Sequence, residues 1–216
     1  MRCTNEWRTL VLDSRMQCRS TRLEESVRDA ILEAYEAPRR HYHTVEHLAE
    51  VLAALEHSRA EQEDPTALTL AAFFRDVVYE GRVGDDEKAS ATRARADLER
   101  LGTDQPLIAR VEALVLATAG HQASEEDRDL ALLLDADLSI LGASPDRYAR
   151  YANDIRKEYG WVEDAAYREG RRRVLESFLS RGQVFSHPHL MTEGAEERAQ
   201  RNRTTEIESL GRPLDA

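Results

Sequence analysis

Apolar residues recur at helical spacing along almost the whole of this chain, and no segment alternates apolar with polar residues between hairpin turn signals. That pattern confines the fold to helices. Leu23, Val27, Ile31 and Tyr35 follow one another at four-residue steps, and Val45, Leu48, Leu52 and Leu55 form a second stripe behind Thr44, a suitable N-cap. From about Thr66 to Tyr79 the pattern changes, because Leu68, Leu70, Ala71, Ala72, Phe73, Phe74, Val77 and Val78 cover every face. A helix apolar all round is a buried central one. The acidic turn Asp85-Asp86-Glu87 and the stop at Gly102 predict a helix over 86–101, and Leu107, Ile108, Val111, Leu114 and Val115 predict another that ends at Gly120. Leu130, Leu134, Asp137 and Leu141 share a stripe, and Ser144-Pro145 opens a helix carrying Tyr148, Tyr151, Ile155 and Tyr159. Tyr167, Val174, Leu175, Phe178 and Leu179 mark the next helix, with a weaker helical pattern from Thr192 to Leu210. The expectation is an all-α compact helical bundle, a single domain over 1–216 with residues 1–20 and 190–216 as helical extensions.

Charge and cysteine content narrow the function. With 30 Lys plus Arg against 41 Asp plus Glu, the net charge is -11, which argues against a broad face for duplex nucleic acid. The one dense basic run, Arg171-Arg172-Arg173, has Glu169 and Glu176 nearby and reads as a solvated helix face. Cys3 and Cys18 are too few and too badly placed for a disulfide framework or zinc cluster. No apolar run approaches the roughly 20 residues of a membrane span, and the N-terminus has no signal-peptide core. A soluble cytoplasmic protein without a membrane partner is expected.

Chemistry concentrates at four places. His43 and His47 flank the start of the second helix; Arg75-Asp76 interrupts the buried apolar run; His121 follows Thr118-Ala119-Gly120; and Asp135 and Asp137 sit inside the run Leu132 to Leu138. An ionised aspartate in apolar surroundings is costly unless it is paired or coordinates a cation. Residues two apart on a helix point about 200° apart, so only one of Asp135 and Asp137 can join a common site, and Asp137 lies on the leucine stripe. Buried acids from different helices, with histidines at helix ends, share one economical explanation, a divalent cation held by His and Asp side chains. His187-Pro188-His189 lacks further ligands nearby in sequence, His57 reads as a surface residue, and Tyr148, Tyr151 and Tyr159 read as packing residues.

Taken in order, His47, Arg75-Asp76, His121 and Asp137 resemble the HD-domain superfamily of metal-dependent phosphohydrolases, and more closely a bacterial group of predicted HD-type phosphohydrolases. The similarity rests on Tyr42-His43-Thr44-Val45-Glu46-His47, on Phe74-Arg75-Asp76-Val77-Val78-Tyr79, on Asp86 to Ala91, on Thr118 to His121, on Asp135 to Gly142 and on Tyr148 to Tyr159. It covers Trp7 to Leu210. One departure falls in the signature itself, because Arg75 stands where the family carries the histidine of its His-Asp doublet. Arginine cannot ligate a metal.

The resemblance implies an HD-type bundle and a hydrolase acting on a small phosphate ester or nucleotide. Its divalent ion (Mn, Mg, Ni, Fe or Zn) would be held by His47, Asp76, His121 and Asp137. The chemistry implied is attack on phosphorus by metal-activated water, with Asp76 catalytic, Glu87 and Lys88 orienting water or phosphate, and Arg75, Arg40 and His43 contacting substrate. Arg39 and Arg156 are further phosphate contacts on this reading. The rival expectation is a catalytically silent HD-type domain that binds a nucleotide or protein partner, with Arg75 ion-paired to Asp76 or Asp137 in the metal's place.

Overall fold

The structure is a computed structural model that describes residues 22–82, 84–120, 126–180 and 182–211. The N-terminal extension with Cys3 and Cys18, and His121, lie outside the described residues. All regular structure among the described residues is helical: α1 (Arg22–Tyr35), α2 (Val45–His57), α3 (Pro65–Phe74), α4 (Asp85–Arg100), α5 (Gln105–Ala117), α6 (Arg128–Asp137), α7 (Pro145–Glu158), α8 (Asp164–Leu179) and α9 (Ala195–Leu210). The backbone divides into two compact units, one ending at Ala136 and the other beginning at Asp137. None of these helices is long and apolar enough to cross a membrane.

In the first unit α3 is the central helix. Asp64 caps it by accepting from the Ala67 amide at 2.9 Å, and Pro65 occupies its first turn, where no amide donor is needed. Ala67, Leu68, Leu70, Ala71, Ala72, Phe73 and Phe74 are all buried. Burying Leu68, Phe73 and Phe74 contributes roughly 1.5–3 kcal/mol each. Helices α2, α4 and α5 pack on α3, and α4 packs closely on α5. Helix α4 stops where Gly102 takes φ 73°, with the Thr103 amide bonded to Leu98 O at 3.1 Å and the Gly102 amide to Glu99 O at 3.0 Å. This reciprocal pair satisfies carbonyls that would otherwise lack partners. Asp129, nearly fully buried in the first turn of α6, accepts from the amides of Glu63 and Asp64 and so anchors the entry to α3.

In the second unit α9 packs on α7, on α8 and on a 3-10 turn over Leu138–Gly142. Ser144 caps α7 as its sequence suggested, accepting from the Arg147 amide. Gly142 is required by a close approach, since a Cβ there would lie 2.8 Å from Ala195 O.

The opening periodicity needs one correction. The apolar run was expected to remain helical to Tyr79, but α3 ends at Phe74, with Arg75 as its C-cap. Side chains from elsewhere satisfy the carbonyls that follow. Arg40 donates from Nη1 to Asp76 O at 2.6 Å and from Nη2 to Val77 O at 3.0 Å, while Ser90 Oγ donates to Val78 O and accepts from the Val78 amide. Apolar burial thus continues past the helix end because the chain runs across the core as a pinned, irregular segment.

Candidate functional site

Arg75 lies where α3 turns into that segment, and its side chain is only 5% exposed. Its Nη2 donates to Nε2 of His47, a fully enclosed residue in the first turn of α2. The same Nη2 lies 2.8 Å from Asp76 Oδ2, an ion pair outside hydrogen-bond alignment. Acceptance at Nε2 requires that this nitrogen carry no proton. One guanidinium nitrogen therefore joins α2 to the residue just beyond α3. Around it, the Tyr42 ring stands 4.4 Å from His47, His43 stacks on Tyr79 at 4.0 Å, and His43 and His47 lie edge to face at 5.7 Å.

Arg40 is placed differently from the phosphate contact expected of it. Besides the carbonyls of Asp76 and Val77 it donates to His43 O at 3.1 Å, and its guanidinium lies over the rings of Tyr35 and Tyr79. Tyr35 is fully buried, donates to Phe73 O at 3.1 Å, and has its pKa raised, chiefly by burial and then by the Asp76 charge. Glu87 accepts from the Gly84 amide at 2.5 Å and so closes the first turn of α4. Lys88 is exposed and pairs with Asp85 at 3.6 Å. Asp86, read from the sequence as part of an acidic turn and of the Asp86 to Ala91 motif, is buried and accepts from the Glu80 and Arg82 amides at 3.0 and 2.7 Å. With Ser90 it fixes the loop that follows the Arg75-Asp76 segment.

Asp135 and Asp137 are both buried, the first in the unit ending at Ala136 and the second at the start of the next. Arg39 and His57 are exposed. Arg156 donates to Tyr159 O and Val162 O beyond the end of α7 and lies over the Tyr167 ring. The His187 and His189 rings are 6.1 Å apart on a short 3-10 turn. Tyr148 and Tyr151 are buried packing residues, as their spacing suggested.

A divalent cation would sit about 2.0–2.2 Å from a histidine nitrogen and a carboxylate oxygen. His47 Nε2 and Asp76 Oδ2 converge instead on Arg75 Nη2, so a cation bound to both would displace a permanently charged nitrogen. No group of three or more His, Cys, Asp or Glu side chains among the described residues is placed to hold a metal. As arranged, His47 and Asp76 hold the Arg75 guanidinium where an ion shared by the two would sit. No protein family, curated protein or solved structure matches this chain.

The second unit contains a polar cluster that the sequence reading missed. Arg171, taken as part of a solvated run, is largely covered, with its side chain 9% exposed; only Arg172 and Arg173 face outward, both against Glu169. Its Nε and Nη2 donate to Glu206 at 2.8 and 3.1 Å, and Tyr148 donates to the same carboxylate at 2.5 Å. The signal was present, since Arg171 falls four residues after Tyr167 and four before Leu175, on the buried stripe. On α9 the buried face consists of Ala195, Ala199, Asn202, Arg203 and Glu206. A search for large apolar residues overlooks such a stripe.

Proposed function

We propose that this chain is an HD-type helical domain in which Arg75 takes the place of a catalytic cation, and that it serves as a binding module for a small phosphorylated molecule or nucleotide. The ordered set of HD-like motifs supports the domain type. One observation carries the replacement of the cation: the same guanidinium nitrogen engages His47 Nε2 and Asp76 Oδ2, side chains of two of the four residues through which that motif set would hold a metal, and the ligand class rests on the motif set alone. Arginine is well suited to this role, because its charge is permanent and its planar fork satisfies several acceptors at once. The proposal makes Arg75 a fixed internal cation rather than a substrate contact.

The hydrolase reading keeps one point in its favour. His47 and Asp76 do converge, so rotation of a single side chain would expose two potential ligands on a common point. Elemental analysis of protein purified without chelator and then equilibrated with manganese or nickel separates the two. The module reading expects no retained metal in the natural chain or in Asp76→Ala, and metal gained in Arg75→His. Near-stoichiometric metal in the natural chain that disappears in Asp76→Ala would overturn it and restore metal-activated hydrolysis, with Asp76, Glu87 and Lys88 as the residues to test.

A further inference from the structure

We propose that the buried guanidinium of Arg203 anchors a small oxyanion, a phosphate or carboxylate group, in the unit that begins at Asp137. Arg203 is 1% exposed and belongs to the largest fully enclosed side chains of the protein. Its Nε donates to Ala199 O at 2.9 Å in its own helix, and its Nη1 is buried with no hydrogen-bond partner among the described residues. Enclosing a guanidinium without an anion is costly, and a buried donor left over in this way calls for an explanation. Burial pulls its pKa below the ordinary arginine value, against the opposing pull of Glu196 and Tyr148.

Two glutamates on α9 bear on Arg203, Glu206 three residues after it and Glu196, whose charge acts on it from two turns before, and both are committed elsewhere. Glu196 accepts from the amides of Val184 and Phe185 through both oxygens. Glu206 holds Arg171 and Tyr148. Among the described residues beneath α9, Arg171 is ion-paired to Glu206 and Arg203 is enclosed without an ion pair.

Phosphate is the first probe, on the strength of the module reading above. In the first unit, Arg40 is committed to carbonyls and Arg75 to His47 and Asp76. Ala195 and Ala199 are the only buried apolar residues of α9, and the rest of its buried face is polar.

The test follows thermal unfolding of the full chain at constant ionic strength in chloride, inorganic phosphate or acetate, for the natural protein, Arg203→Met and Arg203→Lys. The natural protein should show a saturable rise of about 5–10 °C at a hundredfold excess of anion over its Kd. Arg203→Met should show none and Arg203→Lys a reduced one. A response to phosphate alone assigns a phosphate-bearing ligand, and a response to acetate assigns a carboxylate. No saturable rise in the natural protein, or an equal rise in Arg203→Met, overturns the proposal. Where Arg203→Met does not fold, hydrogen exchange of 195–210 in the natural protein decides: slowing by the active anion is expected, and unchanged exchange overturns it. The metal assay above does not involve Arg203, so the two proposals fail on different measurements.

Discussion

Replacing Glu206 by Gln removes a single charge from a buried cluster and leaves its shape nearly intact. In the natural protein the Glu206 carboxylate receives two bonds from Arg171 and one from Tyr148, and the arginine and glutamate side chains are each 9% exposed. Removing one partner of a buried ion pair costs about 3–5 kcal/mol, mostly because the remaining charge is stranded. The amide oxygen of glutamine still accepts one bond, so the lower end applies, about 3 kcal/mol. For a chain of this size that lowers Tm by roughly 6–12 °C. Urea unfolding followed by circular dichroism gives the free energy directly, and Glu206→Leu, Arg171→Met and the Arg171→Met/Glu206→Leu double variant form a cycle with the natural protein. The double variant should recover most of the loss, since an apolar pair replaces the ion pair without stranding a charge. A loss below about 1 kcal/mol in Glu206→Gln, the value of a solvated surface pair, would refute the claim that this cluster is shielded from water.

Gly142→Ala places a methyl 2.8 Å from Ala195 O and 3.0 Å from Ala195 Cβ, so the chain must shift; a loss of about 1–3 kcal/mol is expected in thermal unfolding. Ser90→Val removes the hydroxyl that bonds both the N–H and C=O of Val78 and should cost about 1–3 kcal/mol by urea unfolding, because two partly buried groups lose their partner. Burial raises the pKa of Tyr35, Tyr148 and Tyr151, and Tyr167 is pushed up to about 12. Their folded values lie above the unfolded value near 10, so the stability they contribute is complete below about pH 10 and is lost as pH rises above it. Alkaline titration should then show a step in tyrosinate absorbance that coincides with loss of helical ellipticity; ionisation of every tyrosine with the helices intact would contradict this.

Helix positions were readable because burial here follows a 3.6-residue period, and because Asp64-Pro65, Ser144-Pro145 and Gly102 mark ends with local chemistry alone. The end of α3 was not readable. Phe74 to Val78 stays apolar through the break, and the groups that stop the helix, Arg40 and Ser90, come from distant positions. At the candidate site, residue types and order pointed to His47, Arg75 and Asp76, and the structure brings those three together. Arg40 was singled out as a phosphate contact, and only its tertiary setting shows it holding three carbonyls. Pattern reasoning also misplaced Arg171, because a triple-arginine run looks solvated unless each residue is assigned its own helix face.

The central claim is that Arg75 Nη2 donates to His47 Nε2. Long-range nitrogen–proton NMR of the His47 imidazole, recorded with and without added zinc, tests it most directly. Nε2 should be unprotonated, with the ring proton on Nδ1, and the nitrogen shifts should not move on adding zinc. A protonated Nε2, or an Nε2 resonance that moves to a metal-bound position with zinc, would contradict it.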